Sequence, residues 1–280
     1  MKIKQIDLGE NFARTCLQGS RTLIITFEGG GSRETRPNAD RLAWAEALIA
    51  DAGWDGLFIL PKRLSWYQTS DVWQFFRTMS DIGFFEDYDR VVTYGSSMGG
   101  FAALAFADLA AADKAIAYHP RSVLDPEILR WPSKLSLTLK YNRKGPRADV
   151  LTSLPAKTEV TLFVDPFGRR DKSHTDRVVN AHEKTEVFRV PFIGHSIPAF
   201  LKGSGILKKV FLDAVEDQFD PKWFYEHIRQ RRENAGYHAR MRKALVRRSG
   251  RGQAEGSVVQ HSIGEFGTDP EEKECDPGGQ

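Results

Sequence analysis

Two patterns of hydrophobic and polar positions alternate along residues 20–217. Short runs of β-branched and aromatic residues, bounded by glycine, proline or acidic residues, predict buried strands. Longer stretches with apolar residues spaced by about 3.6 positions predict amphipathic helices between those strands. The predicted strands are 22–28, 55–61, 89–95, 114–120, 158–166 and 186–192, and the predicted helices are 38–53, 70–82, 99–112, 173–185 and 197–217, the last interrupted near Gly203–Gly205.

This regular alternation predicts an α/β fold with a mainly parallel sheet covered by helices on both faces. We assign residues 1–218 to one such domain, a length that can bury a sizeable core. Residues 121–157 break the alternation with prolines and scattered charges. Two interpretations of that segment stay open, a cap inserted over the functional site and a long connection.

The net charge is +3, but charge is distributed very unevenly over the C-terminal part of the chain. Residues 222–251 contain ten Lys/Arg and two Glu, and residues 252–280 contain one Lys and seven Asp/Glu. The sequence therefore predicts a basic helical extension over 219–251, either one helix or two helices broken near Gly236, and a disordered acidic tail over 252–280. The basic helix could bind an anionic partner such as a membrane surface. Alternatively, it is a solvated helix held to the domain by Trp223, Phe224 and Tyr225.

Composition and missing motifs argue against several other classes of protein. No uncharged run approaches the 18 residues of a membrane span, and the first residues lack the apolar stretch of a signal peptide, so the predicted location is cytoplasmic. The two cysteines, Cys16 and Cys275, form neither a disulfide framework nor a metal cluster. Zinc, P-loop and dinucleotide motifs are missing as well, so we predict no metal, no cofactor and no specific nucleic-acid partner.

The candidate chemistry centres on Ser97, in the stretch YGSSMGG. A β-branched strand precedes it and an alanine-rich helix follows, which is the strand–turn–helix context of a nucleophile elbow. Such a turn exposes the serine hydroxyl at the tip of a sheet and aims the next backbone N–H, that of Met98, at the same space. The competing interpretation is a glycine-rich turn without catalysis.

Together with VPFIGHSIP, this motif resembles the α/β-hydrolase fold family over about residues 20–215. The family order is nucleophile, acid, histidine, which implies that Ser97 is the nucleophile and His195 the base. The acid should follow the fifth predicted strand, in VDPFGRRDKSH. The family places it in the loop, which favours Asp171. The usual Gly-x-x-Asp pattern is absent, so Asp165 stays an alternative.

Two further loops should lie at the same edge of the sheet. The glycines of FEGGGSRETR allow close backbone approach to a substrate oxygen, so Gly29 or Gly30 is the second predicted oxyanion donor beside Met98. A flexible loop is the alternative. In the loop after the second predicted strand, Trp66 and Tyr67 could stack on a sugar ring or an acyl group, or could simply pack the loop.

Three functions remain open at this stage. The first is a serine hydrolase that cleaves a carboxylic ester through an acyl-enzyme. The layout also resembles hydrolase-like proteins encoded beside bacterial surface-polysaccharide machinery, which makes an acylated glycan a candidate substrate. The second is an acyltransferase that passes the acyl group to a sugar hydroxyl with the same triad. The third is a non-catalytic scaffold, because a fold does not by itself specify chemistry.

Overall fold

A computed structural model describes residues 2–30, 41–129, 145 and 147–257, and it is built around an eight-stranded sheet in the order β1-β2-β4-β3-β5-β6-β7-β8. The strands from β3 to β8 run parallel, as the sequence predicts. The strands are β1 (Lys2–Leu8), β2 (Asn11–Leu17), β3 (Thr22–Phe27), β4 (Asp55–Pro61), β5 (Arg90–Ser96), β6 (Lys114–Tyr118), β7 (Glu159–Val164) and β8 (Thr185–Arg189).

The helices lie between and after these strands. Their bounds are α1 (Glu46–Asp51), α2 (Ser70–Asp81), α3 (Met98–Ala105), α4 (Arg169–Ala181), α5 (Ile197–Gly203), α6 (Leu207–Val215), α7 (Pro221–His227) and α8 (Ala235–Ser257). The predicted interruption near Gly203–Gly205 is the junction between α5 and α6. The alanine-rich helix is shorter than predicted, because turns replace it after Ala105. Within the described part of the chain, no helix is both long and apolar enough to cross a membrane.

The sequence analysis missed the hairpin of β1 and β2, which pairs antiparallel and joins β4 antiparallel. Its turn depends on Gly9, whose φ of 67° lies in the left-handed region that favours glycine. In β2, buried and partly exposed residues alternate from Asn11 to Arg14, and the alternation is interrupted at Thr15, so the period-2 pattern of a strand is short. This hairpin extends the sheet on the side away from the candidate site.

Both faces of the sheet are buried. On β3, Leu23, Ile25 and Phe27 belong to one apolar cluster with α2 and α3, whereas Ile24 belongs to a second cluster with residues of α5, α6 and α7. This alternation explains why the central strands are apolar almost throughout. Against one face, the Phe27 ring stacks on those of Phe76 and Phe106, each at 5.5 Å.

The C-terminal part divides differently from the prediction. Contacts define one compact unit, Met1–Arg240, and a second, Met241–Gln280, whereas the sequence suggested a boundary after residue 218. Phe224 is fully buried and packs on Phe163 and Phe188, so the start of the basic extension belongs to the first unit. The basic segment is broken at Asn234, which is in extended conformation and lies two residues before Gly236.

Parts of several predicted segments lie outside the described residues. These are the beginning of the predicted helix 38–53, the middle of segment 121–157 and most of the tail 252–280. At the described ends of segment 121–157, Val123 pairs with Asp149 in an isolated antiparallel bridge, and Leu124 and Val150 are fully buried. Both ends of that segment are therefore part of the core.

Candidate active site

The first element of the site is the turn that joins β5 to α3. Ser97 occupies it with φ 57° and ψ −114°, a conformation that residues other than glycine rarely adopt. Its N–H donates to Tyr118 O at 2.9 Å, which ties the turn to the end of β6. Strain of this kind costs about 1–3 kcal/mol and concentrates at functional sites. The turn places the Ser97 side chain, which is partly exposed, at the carboxyl edge of the sheet.

The glycines around Ser97 make this turn sterically feasible. A Cβ on Gly95 would lie 2.1 Å from Gly99 O, and a Cβ on Gly99 would lie 1.9 Å from Phe27 O. Both distances are far shorter than any van der Waals contact. The backbones of β3, β5 and α3 therefore approach one another so closely that only glycine fits at these two positions.

The second element is the pair formed by His195 and Asp171. His195 follows β8 in a short 3₁₀ turn, Gly194–Ser196, and its Nδ1 lies 3.3 Å from Asp171 Oδ2. Asp171 lies in the first turn of α4 and is buried, whereas the His195 side chain is 46% exposed. The arrangement can fix which ring nitrogen carries the proton, with Nδ1 donating to the carboxylate and Nε2 free to act as a base.

Asp171 is itself held by an arginine that the sequence analysis did not single out. Arg121 Nη1 lies 3.3 Å from Asp171 Oδ1, and both side chains are largely buried. Burial alone would raise the pKa of Asp171. The hydrogen bond to His195 and the charge of Arg121 outweigh burial and lower that pKa below its ordinary value. Asp171 therefore stays a carboxylate that can support the imidazole ring.

The alternative acid, Asp165, makes different contacts. Its Oδ2 accepts a hydrogen bond from Gly194 N at 2.6 Å and its Oδ1 accepts from Phe167 N at 3.0 Å. Gly194 directly precedes His195 and has a φ of 67°. Asp165 thus fastens the histidine loop to the end of β7, and the His195 ring pairs with Asp171 instead.

The hydroxyl and the base are not joined directly. Across residues 2–30, 41–129 and 147–257, no hydrogen bond joins Ser97 Oγ to the His195 ring. Catalytic hydrogen bonds are often long without substrate and tighten in the substrate complex. The structure brings both residues to the carboxyl edge of the parallel strands, one after β5 and the other after β8.

A second histidine packs on the candidate base. His119 follows β6 with a φ of 38°, is fully buried, and has its ring centroid 4.5 Å from that of His195. Burial lowers its pKa to about 3, so the ring is neutral. Neither of its ring nitrogens has a hydrogen-bond partner among the described residues. The sequence feature that could have identified His119 is YHPR, a polar stretch at the end of a predicted parallel strand.

The loop after β3 is the predicted source of oxyanion donors. A Cβ on Gly29 would lie 3.2 Å from Ser96 O, so this loop packs closely against the Ser97 turn. The preceding Glu28 is fully buried and acts as an anchor. Its carboxylate accepts hydrogen bonds from Arg41 Nη1 at 2.7 Å and Trp44 N at 3.0 Å. Gly30 is also described, and the third glycine, Gly31, lies outside the described residues.

Met98, the other predicted donor, begins α3 and is buried. The first N–H groups of a helix lack acceptors within the helix, and Ser97 does not cap α3 with its side chain. The amide of Met98 therefore points out of the helix end nearest to Ser97. The role of Met98 and of the glycine loop as oxyanion donors stays a prediction.

Trp66 and Tyr67 lie in the core rather than on a substrate surface. They are 3% and 1% exposed, and both have positive φ values. The Tyr67 ring packs edge-on against Phe27, and its hydroxyl donates to Glu28 O at 2.8 Å. Their burial leaves little ring surface for a ligand. Tyr67 instead supports the loop that carries Gly29.

Searches for related proteins found structural similarity only. No family model matches the chain, and no curated protein matches its sequence. Among solved structures, the capsule O-acetyltransferase of Neisseria meningitidis serogroup A is 16% identical with a TM-score of 0.54, and covers 76% of this chain and 94% of its own. A thermophilic esterase from Thermogutta terrifontis is 15% identical with a TM-score of 0.54, covering 77% and 92%. An arylesterase is 17% identical with a TM-score of 0.51, covering 78% and 84%.

These similarities define the fold. The chain has an α/β-hydrolase-like fold, with a mostly parallel eight-stranded sheet and helices on both faces, as predicted from the sequence. At this level of identity, the function must be argued from the residues at the sheet edge.

Proposed function

We propose that this protein is a serine hydrolase that cleaves a carboxylic ester through an acyl-enzyme. The observation that carries the proposal is the contact between His195 Nδ1 and Asp171 Oδ2, at the same sheet edge as the strained Ser97 turn. A base oriented by a buried carboxylate, together with a partly exposed serine at an elbow, is the arrangement that ester cleavage requires. The solved structures similar to it include several proteins described as esterases.

Each residue has a defined role in this mechanism. Nε2 of His195 takes the proton from Ser97 Oγ as that oxygen attacks the ester carbonyl. The resulting oxyanion is stabilised by the N–H of Met98 and by that of Gly29 or Gly30. His195 then gives the proton to the leaving alcohol, and a water molecule repeats the sequence to release the acid. Asp171 holds the ring and stabilises its protonated form without taking the proton itself.

The direct test is covalent labelling of Ser97 by a fluorophosphonate probe. Labelling and hydrolysis of p-nitrophenyl acetate are expected in the wild type, and both should disappear in Ser97→Ala. The adjacent Ser96→Ala variant is the matched control and should keep the labelling. Undiminished hydrolysis by Ser97→Ala would remove the central claim. Absence of labelling in a folded wild type would favour the non-catalytic scaffold.

The choice of acid has its own test. Asp171→Asn should lower kcat on the order of 10³–10⁴-fold, because the His195 ring loses the partner that fixes its tautomer. Asp165→Asn should have a smaller effect, since its carboxylate holds the loop and not the ring. A larger loss in Asp165→Asn than in Asp171→Asn would reverse the assignment.

Acyl transfer to a sugar hydroxyl is a second candidate, and one observation favours it. A groove of about 460 Å³ adjoins the histidine loop and is lined by Ser196, Ser204, Gln230, Asn234 and Arg240, among others. These hydroxyl, amide and guanidinium groups suit a hydroxyl-rich acceptor. One similar structure is described as an O-acetyltransferase in complex with CoA. Adding acceptor sugars with an activated acetyl donor separates the two reactions, since transfer yields an acetylated sugar and hydrolysis yields acetate.

A further inference from the structure

The most unusual group in the described part of the chain is His119. An apolar ring could fill its fully buried position without leaving ring nitrogens unpaired, yet the chain places an imidazole there with a strained φ of 38°. A buried polar atom without a partner costs about 1–3 kcal/mol, so such atoms call for an explanation. Both nitrogens of His119 are in this state among the described residues.

The surroundings of His119 supply that explanation. One ligand atom from each of His119, Asp171 and His195 lies within 4.8 Å of the other two. The pair formed by Asp171 Oδ2 and His195 Nδ1 is 3.3 Å apart, about the spacing of two ligands in a tetrahedral zinc site with bonds of about 2.0–2.1 Å. The His195 ring is half-exposed and its centroid lies 4.5 Å from that of His119, so rotation of this side chain, with its loop held by Asp165, is the movement that would bring the three donors to bonding distance of one ion.

We propose that His119, Asp171 and His195 form a Zn²⁺ site whose occupation switches off the base. Two imidazoles and one carboxylate are a donor set that zinc takes in proteins. Because the His195 side chain is 46% exposed, water can occupy the fourth coordination position of the ion. Arg121 contacts the other oxygen of Asp171 and so orients the carboxylate, as residues around the ligands of a metal site do. The positive charge of Arg121 limits the affinity for Zn²⁺.

The inhibitory step follows from the two tautomers of His195. The mechanism needs the proton on Nδ1, where it is donated to Asp171, and a free lone pair on Nε2. Zinc bound at Nδ1 requires the proton to move to Nε2, and no net proton is released from the neutral ring. Nε2 then has no lone pair for the Ser97 proton. This inhibition rests on the proposed hydrolase function, whereas zinc binding itself does not.

The test therefore measures binding and inhibition separately. Binding is measured by calorimetry with zinc chloride, and by the visible absorption of Co²⁺, in the Ser97→Ala protein, which needs no activity. We expect one site per chain, with tetrahedral Co²⁺ bands. His119→Phe, which keeps an aromatic ring against His195, should weaken binding at least about 100-fold, because loss of even an outer-shell partner costs 10–100-fold. His227→Phe, outside the cluster, is the matched control and should bind as before.

Inhibition is then measured on proteins with an intact Ser97, relative to each variant's own metal-free rate. Zinc should inhibit the wild type and His227→Phe, with recovery on adding EDTA, and should spare His119→Phe. Absence of stoichiometric binding, or equal binding by His119→Phe, would overturn the proposal. Binding without inhibition would overturn the tautomer argument. If the wild type is inactive towards every ester tried, the proposed function fails, and the binding measurement still decides the zinc site.

Discussion

Acidification should destabilise this protein through a histidine that has no role in the proposed chemistry. His174, on α4, is 3% exposed, and its Nδ1 accepts a hydrogen bond from Ser122 N at 3.0 Å. Burial, reinforced by the charge of Arg121, lowers the pKa of His174 from 6.5 to about 3. The unfolded chain therefore binds a proton that the folded chain refuses between pH 6.5 and about pH 3.

The sign and size of the effect follow from this difference. Because the folded-state pKa is depressed, the stability that His174 contributes is complete above pH 6.5 and is lost as the pH falls. Well below pH 6.5, the free energy of unfolding falls by about 1.4 kcal/mol per pH unit because one imidazole is kept neutral. The loss between pH 7.5 and pH 4.5 is about 2.7 kcal/mol. That is a large part of the 5–15 kcal/mol typical of a folded domain.

Urea unfolding at several pH values between 7.5 and 4.5 measures this loss. The comparison is with His174→Asn, whose side-chain oxygen can replace Nδ1 as the acceptor for Ser122 N and does not titrate. The buried ring of His119 adds a second loss in both proteins, so only the difference between the two slopes is diagnostic. The variant should be less sensitive to acid by about 1.4 kcal/mol per pH unit. Equal slopes would show that His174 does not hold the predicted pKa, and the reasoning would fail.

Three further outcomes are expected. Gly99→Ala should destabilise the fold by about 3 kcal/mol or more and abolish activity, because its Cβ would lie 1.9 Å from Phe27 O. Gly203→Ala, where a Cβ meets open space, is the control and should keep both the melting temperature and the esterase activity. Tyr67→Phe should lower kcat more than it changes KM, because the loop of Gly29 loses its anchor at Glu28 O; equal kinetics would contradict that role. Deleting 252–280 should change the melting temperature by less than about 2 °C, because the segment has little apolar surface, and should strengthen retention on an anionic resin at low salt, because it removes a charge of −6. A large drop in melting temperature would mean that the tail is packed.

The sequence predicted the parts of the fold that depend on local pattern. The central strands β3 and β5 are rich in apolar and β-branched residues and almost fully buried, and the glycines around Ser97 mark the turn that follows β5. The hairpin of β1 and β2 was missed because its strands mix apolar residues with polar and charged ones and contain no continuous apolar run. Hydrophobic runs identify strands buried on both faces more readily than strands buried on one.

The site was predictable where residues follow strands and unpredictable where partners meet across the fold. His195 and Asp171 could be placed at one edge of the sheet because both follow parallel strands. Arg121 and His119 also follow a strand, but their importance depends on contacts with α4 and with the histidine loop. For Trp66 the sequence left ligand stacking and loop packing open, and only the tertiary contact with Phe101 shows that the ring is buried.

The close packing of Gly95 and Gly99 at the Ser97 turn also bears on how this chain could change over generations. The side chain of Ser97 is partly exposed, so its hydroxyl can be lost with little repacking, whereas either glycine can be replaced only if two backbone segments separate. A descendant that lost its chemistry would therefore lose Ser97 long before it lost the glycines. The glycines reflect the architecture of the turn, and under the proposed function the residue at position 97 is the one by which retained or lost activity can be recognised among relatives of this protein.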